Sequence, residues 1–165
     1  MTINVFKSKV LNNKSNKPTD PITTEIIRNS LNSSAEQMKK VLIRSSFSPI
    51  IYEVLDFASA IYDQNYCMLA QSPSLPGFMG TLSFCVEQAV KEVGGESNLF
   101  DGDIIIYNNP YGSGSHSQDV AIVKPVYLEK KLIGYTAIKA HWLDTGGKEP
   151  YSTDTVDVFQ EGTIY

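Results

Sequence analysis

The chain of 165 residues holds two histidines, and each begins the same four-residue pattern: His116-x-x-Asp119 and His141-x-x-Asp144. Imidazole nitrogens and carboxylate oxygens together make a donor set suited to a divalent Mn, Zn or Fe ion. The spacing adds geometry to that chemistry. Residues 120–127 and 132–140 read as strands, separated by Leu128-Glu129-Lys130-Lys131. If Glu129, Lys130 and Lys131 form a three-residue loop, antiparallel partners carry numbers summing to about 260. Asp119 then faces His141, and His116 lies near Asp144. Opposite residues in such a ladder are about 5 Å apart, close enough to share one ion. A slip of one residue in the loop turns a side chain to the other face. The same residues allow a plainer reading, in which a His and an Asp across a hairpin share a hydrogen bond and Asp119 caps the loop.

Other candidates are simpler. Asp56 is an acid within the apolar run Leu55-Asp56-Phe57-Ala58, and buried carboxylates are usually paired or metal-bound. It is a ligand from a further strand, or an acid at a strand end. Gly112-Ser113-Gly114-Ser115 could cradle a phosphate, but no helix follows to supply a dipole, so it reads as a flexible loop that lets His116 approach an ion. No serine sits in a G-x-S-x-G elbow. Cys67 and Cys85 are too few for a disulfide scaffold or a four-cysteine zinc site, and both read as small core residues.

The elements that must position these groups follow from periodicity. Asp20-Pro21 combines an N-cap with a proline preset for the first helical turn. Ile22, Ile26, Ile27, Leu31, Ala35, Met38, Val41 and Leu42 then recur at helical spacing, which predicts an amphipathic helix of about 24 residues with that face in the core, ending before Ser48-Pro49. Residues 55–62 and 66–70 flank Asp63-Gln64-Asn65 as a β-hairpin. A second helix fits 81–93, stopped by Gly94-Gly95. Residues 104–107 form a short buried strand, and the Gly-, Thr- and Asp-rich stretch 145–165 has no closing element. Helices and antiparallel hairpins without regular β-α alternation define an α+β fold.

Composition sets the outer limits. The chain is 42% hydrophobic and 19% charged, a globular balance. Residues 1–19 carry four lysines and no acid, and they read as a disordered basic leader; the remainder has 10 basic and 18 acidic residues. An acidic body speaks against nucleic acid as a partner. No window reaches the roughly 18 apolar residues of a membrane span, and the start has no signal-peptide apolar core. The expectation is a cytoplasmic protein with no membrane partner.

Several blocks resemble the hydantoinase B/oxoprolinase family in content and order. They are Asp20-Pro21-Ile22-Thr23, Leu55 to Ala60, Asn109-Pro110-Tyr111 through His116-x-x-Asp119, Ala140-His141-x-x-Asp144-x-Gly146-Gly147, and Phe159-Gln160-Glu161-Gly162. The resemblance covers residues 20–162. It implies a metal-dependent subunit of an ATP-coupled hydrolase that opens a cyclic amide of the hydantoin, 5-oxoproline or lactam type. It also implies a hydantoinase A-like ATPase partner that uses the ATP, and hence a hetero-oligomer. His116, Asp119 and His141 match the family's metal ligands, with Asp56 and Asp144 close by, and the nucleophile is a water activated by the metal. Related subunits carboxylate ketones, and a non-catalytic assembly module with a structural metal hairpin is a third possibility. Family members often show Asn-Asp-Pro-Tyr where this chain has Asn108-Asn109-Pro110-Tyr111, and a histidine in the segment that here carries Phe78. Such subunits are several times longer, so the resemblance implies an N-terminal section of a larger polypeptide.

Overall fold

A computed structural model describes residues 20–165, so the leader expected over 1–19 lies outside the described residues. Helix α1 spans Pro21–Ser45, and the Asp20 carboxylate accepts from the Ile22 and Thr23 amides as its N-cap. Helices α2 (Pro49–Tyr52) and α3 (Pro76–Glu92) follow, with single turns α4 (Pro110–Ser113) and α5 (Val158–Glu161) later in the chain. The strands are β1 (Phe57–Asp63), β2 (Met68–Gln71), β3 (Ile105–Tyr107), β4 (Asp119–Leu128) and β5 (Lys131–His141). They form one antiparallel sheet in the order β2-β1-β5-β4-β3, an α+β fold.

The core lies between this sheet and α3. Leu82, Val86, Ala89 and Val90 of α3 are buried against Ala58 and Ala60 of β1, Ala121 and Val123 of β4, and Tyr135 and Ala137 of β5. Alternation along each strand puts these side chains on one face. Helix α3 starts five residues earlier than its periodicity predicts. Pro76 opens it, and Gly77 and Gly80 break the apolar pattern of its first turns. The expectation for α1 needs more correction. Ala35 is buried, but Ile22, Ile26 and Ile27 are exposed, because α1 leans on β1 and β2 through its middle and leaves its first turns uncovered; Val41 near its end is exposed as well. Cys85 is buried as expected, whereas Cys67 sits exposed in the β1–β2 turn, where its amide donates to Asp63.

The β4–β5 hairpin fixes the register that matters. Leu128 pairs with Lys131, so the turn holds two residues, not three, and both Glu129 and Lys130 adopt left-handed φ values of 49° and 67°. Two positive φ angles are what a tight hairpin turn of matching twist demands. A bulge between Val126 and Tyr127 then shifts the ladder by one residue. Beyond it Asp119 pairs with His141, the pairing that the longer loop would have produced.

Candidate metal centre

Asp119 opens β4 and His141 closes β5, so the ladder places them opposite each other at one end of the sheet. His116 arrives from the loop after α4. Its Nε2 lies 3.1 Å from Asp119 Oδ1, and His141 Nδ1 lies 3.3 Å from the same oxygen. The two imidazole rings stand 5.0 Å apart between centroids. One donor atom from each of the three residues falls within 4.8 Å of the others. Asp119 and His141 are buried, and His116 is half-exposed at the mouth.

Burial alone would raise the Asp119 carboxyl. Hydrogen bonds from His116 and His141, with the charges of His116 and Lys139, overcome it and hold Asp119 down at about 2. The reciprocal bond to Asp119 raises His116, against the opposing effect of its own burial. Asp119 is therefore a carboxylate at any ordinary pH, with an imidazole on either side.

The arrangement fits a divalent ion. Two nitrogens and one oxygen converge, and Nε2 of His141 is buried with no hydrogen-bond partner. Asp56 stands just before β1, and its carbonyl accepts the His141 amide at 3.1 Å. Its Oδ1 is buried without a partner, and burial raises its carboxyl despite the nearby charges of His141 and His116. Asp56 faces the centre without joining the three-donor group.

Asp144 is placed differently from the sequence expectation. It is exposed, it stands outside the group, and its Oδ1 accepts the Gly146 amide at 2.7 Å in a local turn. After His141 the chain leaves the ladder, with Trp142 donating to the Gln118 carbonyl, so the second H-x-x-D does not fold like the first. The place beside His116 is taken by Glu161. Its Oε2 lies 3.8 Å from His116 Nδ1 and accepts from both the amide and the hydroxyl of Ser117. Spacing alone gave no sign of Glu161; its only signal was the Phe159-Gln160-Glu161-Gly162 block.

The glycine- and serine-rich loop is more ordered than its composition suggests. Pro110–Ser113 makes one helical turn, N-capped by the Asn109 side chain accepting from the Tyr111 amide at 3.1 Å. An aspartate could serve the same role, so the Asn109 departure leaves the cap intact. Gly114 ends the turn at φ 71°, in the left-handed region. Phe78, the other departure, is buried with Lys139 Nζ 5.4 Å above its ring. The Tyr151 ring packs 5.5 Å from His141, on a backbone at φ 72°. An open cleft of about 540 Å³ adjoins His116, lined by Tyr111, Ser115, Val156 and Glu161 among others.

An antiparallel α+β unit with a His–Asp–His centre at one sheet end is the class that fold and site define. The chain belongs to the hydantoinase B/oxoprolinase family, whose model matches residues 20–165. It is 36% identical over 148 residues to an uncharacterized protein of Methanocaldococcus jannaschii, covering 88% of this chain and 26% of that one. It is 34% identical to the 5-oxoprolinase of Dictyostelium discoideum (81% of this chain, 10% of that one). It is 30% identical to caprolactamase subunit beta of Pseudomonas jessenii (87% and 25%). The solved ATP-dependent caprolactamase of P. jessenii superposes with a TM-score of 0.78 at 28% identity, covering 90% of this chain and 26% of that one. A nucleotide-free acetone carboxylase superposes equally, at 0.78, but with 21% identity over 88% of this chain and 20% of that one, a likeness of fold alone. The chain thus spans between a tenth and about a quarter of the length of these relatives. Among the described residues, no helix is long and apolar enough to cross a membrane.

Proposed function

We propose that this chain forms the metal-holding section of a subunit that opens a cyclic amide ring of the hydantoin, 5-oxoproline or lactam type, together with an ATP-hydrolysing partner subunit. The observation that carries the reading is the convergence of His116, Asp119 and His141 within 4.8 Å. It lies in a stretch 30–34% identical to relatives named 5-oxoprolinase and caprolactamase subunit beta. A divalent Mn, Zn or Fe ion bound there would polarise a carbonyl oxygen and bring water towards hydroxide near neutral pH.

The chain's own residues supply the rest. Asp119, anionic and buried, orients both imidazoles through one oxygen. Its bond to His116 favours the protonated ring, so uptake of an ion at His116 displaces that proton. The cleft beside His116 has room for a small ring, and Tyr111 and Val156 give it an apolar wall. An amide is a poor electrophile. Phosphorylation of its oxygen by the partner would make the ring carbon a good electrophile. Water adds there, the ring nitrogen leaves with a proton, and a second water hydrolyses the resulting acyl phosphate to carboxylate and phosphate, which accounts for the ATP. The "subunit beta" relative and the solved ATP-dependent caprolactamase support a partner and a nucleotide. The acetone carboxylase likeness bears on fold, so ring hydrolysis is favoured over ketone carboxylation.

Elemental analysis of the chain after dialysis against Mn²⁺ or Zn²⁺ is expected to show a stoichiometric ion that His116→Ala loses. A wild-type chain that takes up no ion overturns the metal assignment. ATP-dependent ring opening, measured with a hydantoinase A-like ATPase subunit supplied, is expected to vanish in His141→Ala. Unchanged turnover in that variant reduces the centre to a structural clip.

A further inference from the structure

Lys139 is fully buried, with no exposed surface, two residues before His141 on the same face of β5. A buried ammonium is expensive unless a counter-charge or strong acceptors meet it. Among the described residues Lys139 makes no ion pair. Its Nζ donates to the carbonyl of Ser113 at 3.2 Å and lies 5.4 Å above the Phe78 ring. Its hydrogen bond thus goes to one backbone atom, while the Asp119 charge acts on it from beyond ion-pair distance. That atom is the last carbonyl of α4, the end where a helical turn leaves its acceptors unpaired and where a cation is favoured.

The position of Ser113 gives the contact its meaning. Gly114 follows in the left-handed conformation, and His116 comes three residues after Ser113. Asp119 and His141 are fixed by ladder pairing, but His116 belongs to no strand. Its carbonyl accepts the Asp119 amide at 3.1 Å on one side, and the α4 turn sets the other end of its loop. Above that turn Asn109 caps its start; below it Lys139 grips its end.

We infer that Lys139 is a positioning residue of the metal centre: by holding the Ser113 carbonyl it sets the loop that delivers His116 to the ion. The inference rests on the proposed metal reading. The second layer behind a metal ligand is typically worth a factor of roughly 10 to 100 in affinity.

The test is a double-mutant cycle read by calorimetric titration of the metal-free chain with Zn²⁺. Lys139→Met keeps the apolar stem of the side chain and removes its terminal donor. It is expected to weaken Zn²⁺ binding about 10- to 100-fold, with an unchanged far-ultraviolet spectrum. In the His116→Ala background it is expected to add almost nothing, because the ligand it positions is gone. In the His141→Ala background its full effect is expected to persist. Binding of wild-type strength in Lys139→Met overturns the inference. So does a loss that simply multiplies with that of His116→Ala. If Lys139→Met does not fold, Lys139→Gln replaces it; its shorter amide stays polar but falls short of Ser113, and the same two outcomes decide. A wild-type chain that binds no Zn²⁺ fails the metal reading itself and takes the inference with it, a result distinct from a wild type that binds and a Lys139→Met that binds equally.

Discussion

Asp119→Asn isolates the charge at the hub of the centre. The substitution keeps the size and shape of the side chain and removes the carboxylate shared by two imidazoles at 3.1 and 3.3 Å. In the folded chain Asp119 is held at about 2, against an ordinary value of 3.8. Converted at about 1.4 kcal/mol per pH unit, that gap makes the charged form worth on the order of 2 kcal/mol of folding stability. The direction follows from the depression. The contribution is complete above 3.8 and is lost as pH falls through about 2. With all metal chelated at about pH 7, Asp119→Asn is expected to lose roughly 2 kcal/mol in urea unfolding. That corresponds to a melting temperature roughly 4–8 °C lower for a domain of this size. The gap between variant and wild type is expected to narrow by about pH 3, where wild-type Asp119 begins to lose its advantage. Equal melting at neutral pH refutes the reasoning, because it means that desolvation cancels both histidine bonds. A gap that stays constant down to pH 3 refutes it as well, by showing that the loss comes from packing, not charge.

Three further outcomes follow from the geometry. His116 is raised by its bond to Asp119, so the pair supports the metal-free fold fully below about pH 6.5 and less as pH rises through the raised value. Zn²⁺ affinity is expected to run the other way, strengthening with pH across that same interval; calorimetric titrations showing no pH dependence there contradict a ligand role for His116. Glu161→Gln removes the charge that accepts the Ser117 amide and hydroxyl. It is expected to cost about 1–3 kcal/mol in chemical denaturation and to lower the His116 value seen by NMR titration. Gly134→Ala would drive a Cβ into the Tyr62 carbonyl oxygen and push β1 from β5. A loss of roughly 1–3 kcal/mol is expected in thermal melts, and an unchanged melt would mean that the strands can part freely at that point.

The sequence was most legible where a pattern is local. The Asp20-Pro21 start, the α1 period and the apolar side of α3 are each dictated by residues within a few positions of one another. The pairing of Asp119 with His141 was legible too, but through two compensating features. The turn is one residue shorter than expected, and a bulge at Val126/Tyr127 restores the register. Neither is marked in the sequence, since Glu129 and Lys130 are not typical left-handed residues. The failures are those of long-range contact. Asp144 repeats the H-x-x-D spacing, yet its carboxylate is consumed two residues away by Gly146. Glu161 reaches Ser117 across 44 residues, which no spacing rule could anticipate. The exposed apolar turns of α1 show the opposite limit: periodicity identifies a face but not what covers it.

The centre is built from two kinds of constraint, and the difference governs how it can be altered. Asp119 and His141 are backbone partners in a ladder, so their separation is set by strand geometry and survives most side-chain changes nearby. His116 stands in the loop after a single helical turn ended by Gly114, held through Asn109, Lys139 and the Glu161–Ser117 contact. Each of these holds contributes about as much as an ordinary hydrogen bond, and the link back to the ladder is the Asp119 amide donating to the His116 carbonyl. On the proposed metal reading, the loop is the more alterable part of the centre and the sheet the more fixed one. Glu161 belongs to the same stretch as Val156 and Asp157, which line the cleft with Tyr111. His116 lines that cleft beside Glu161, so the loop that carries one donor of the centre also forms part of the cleft wall.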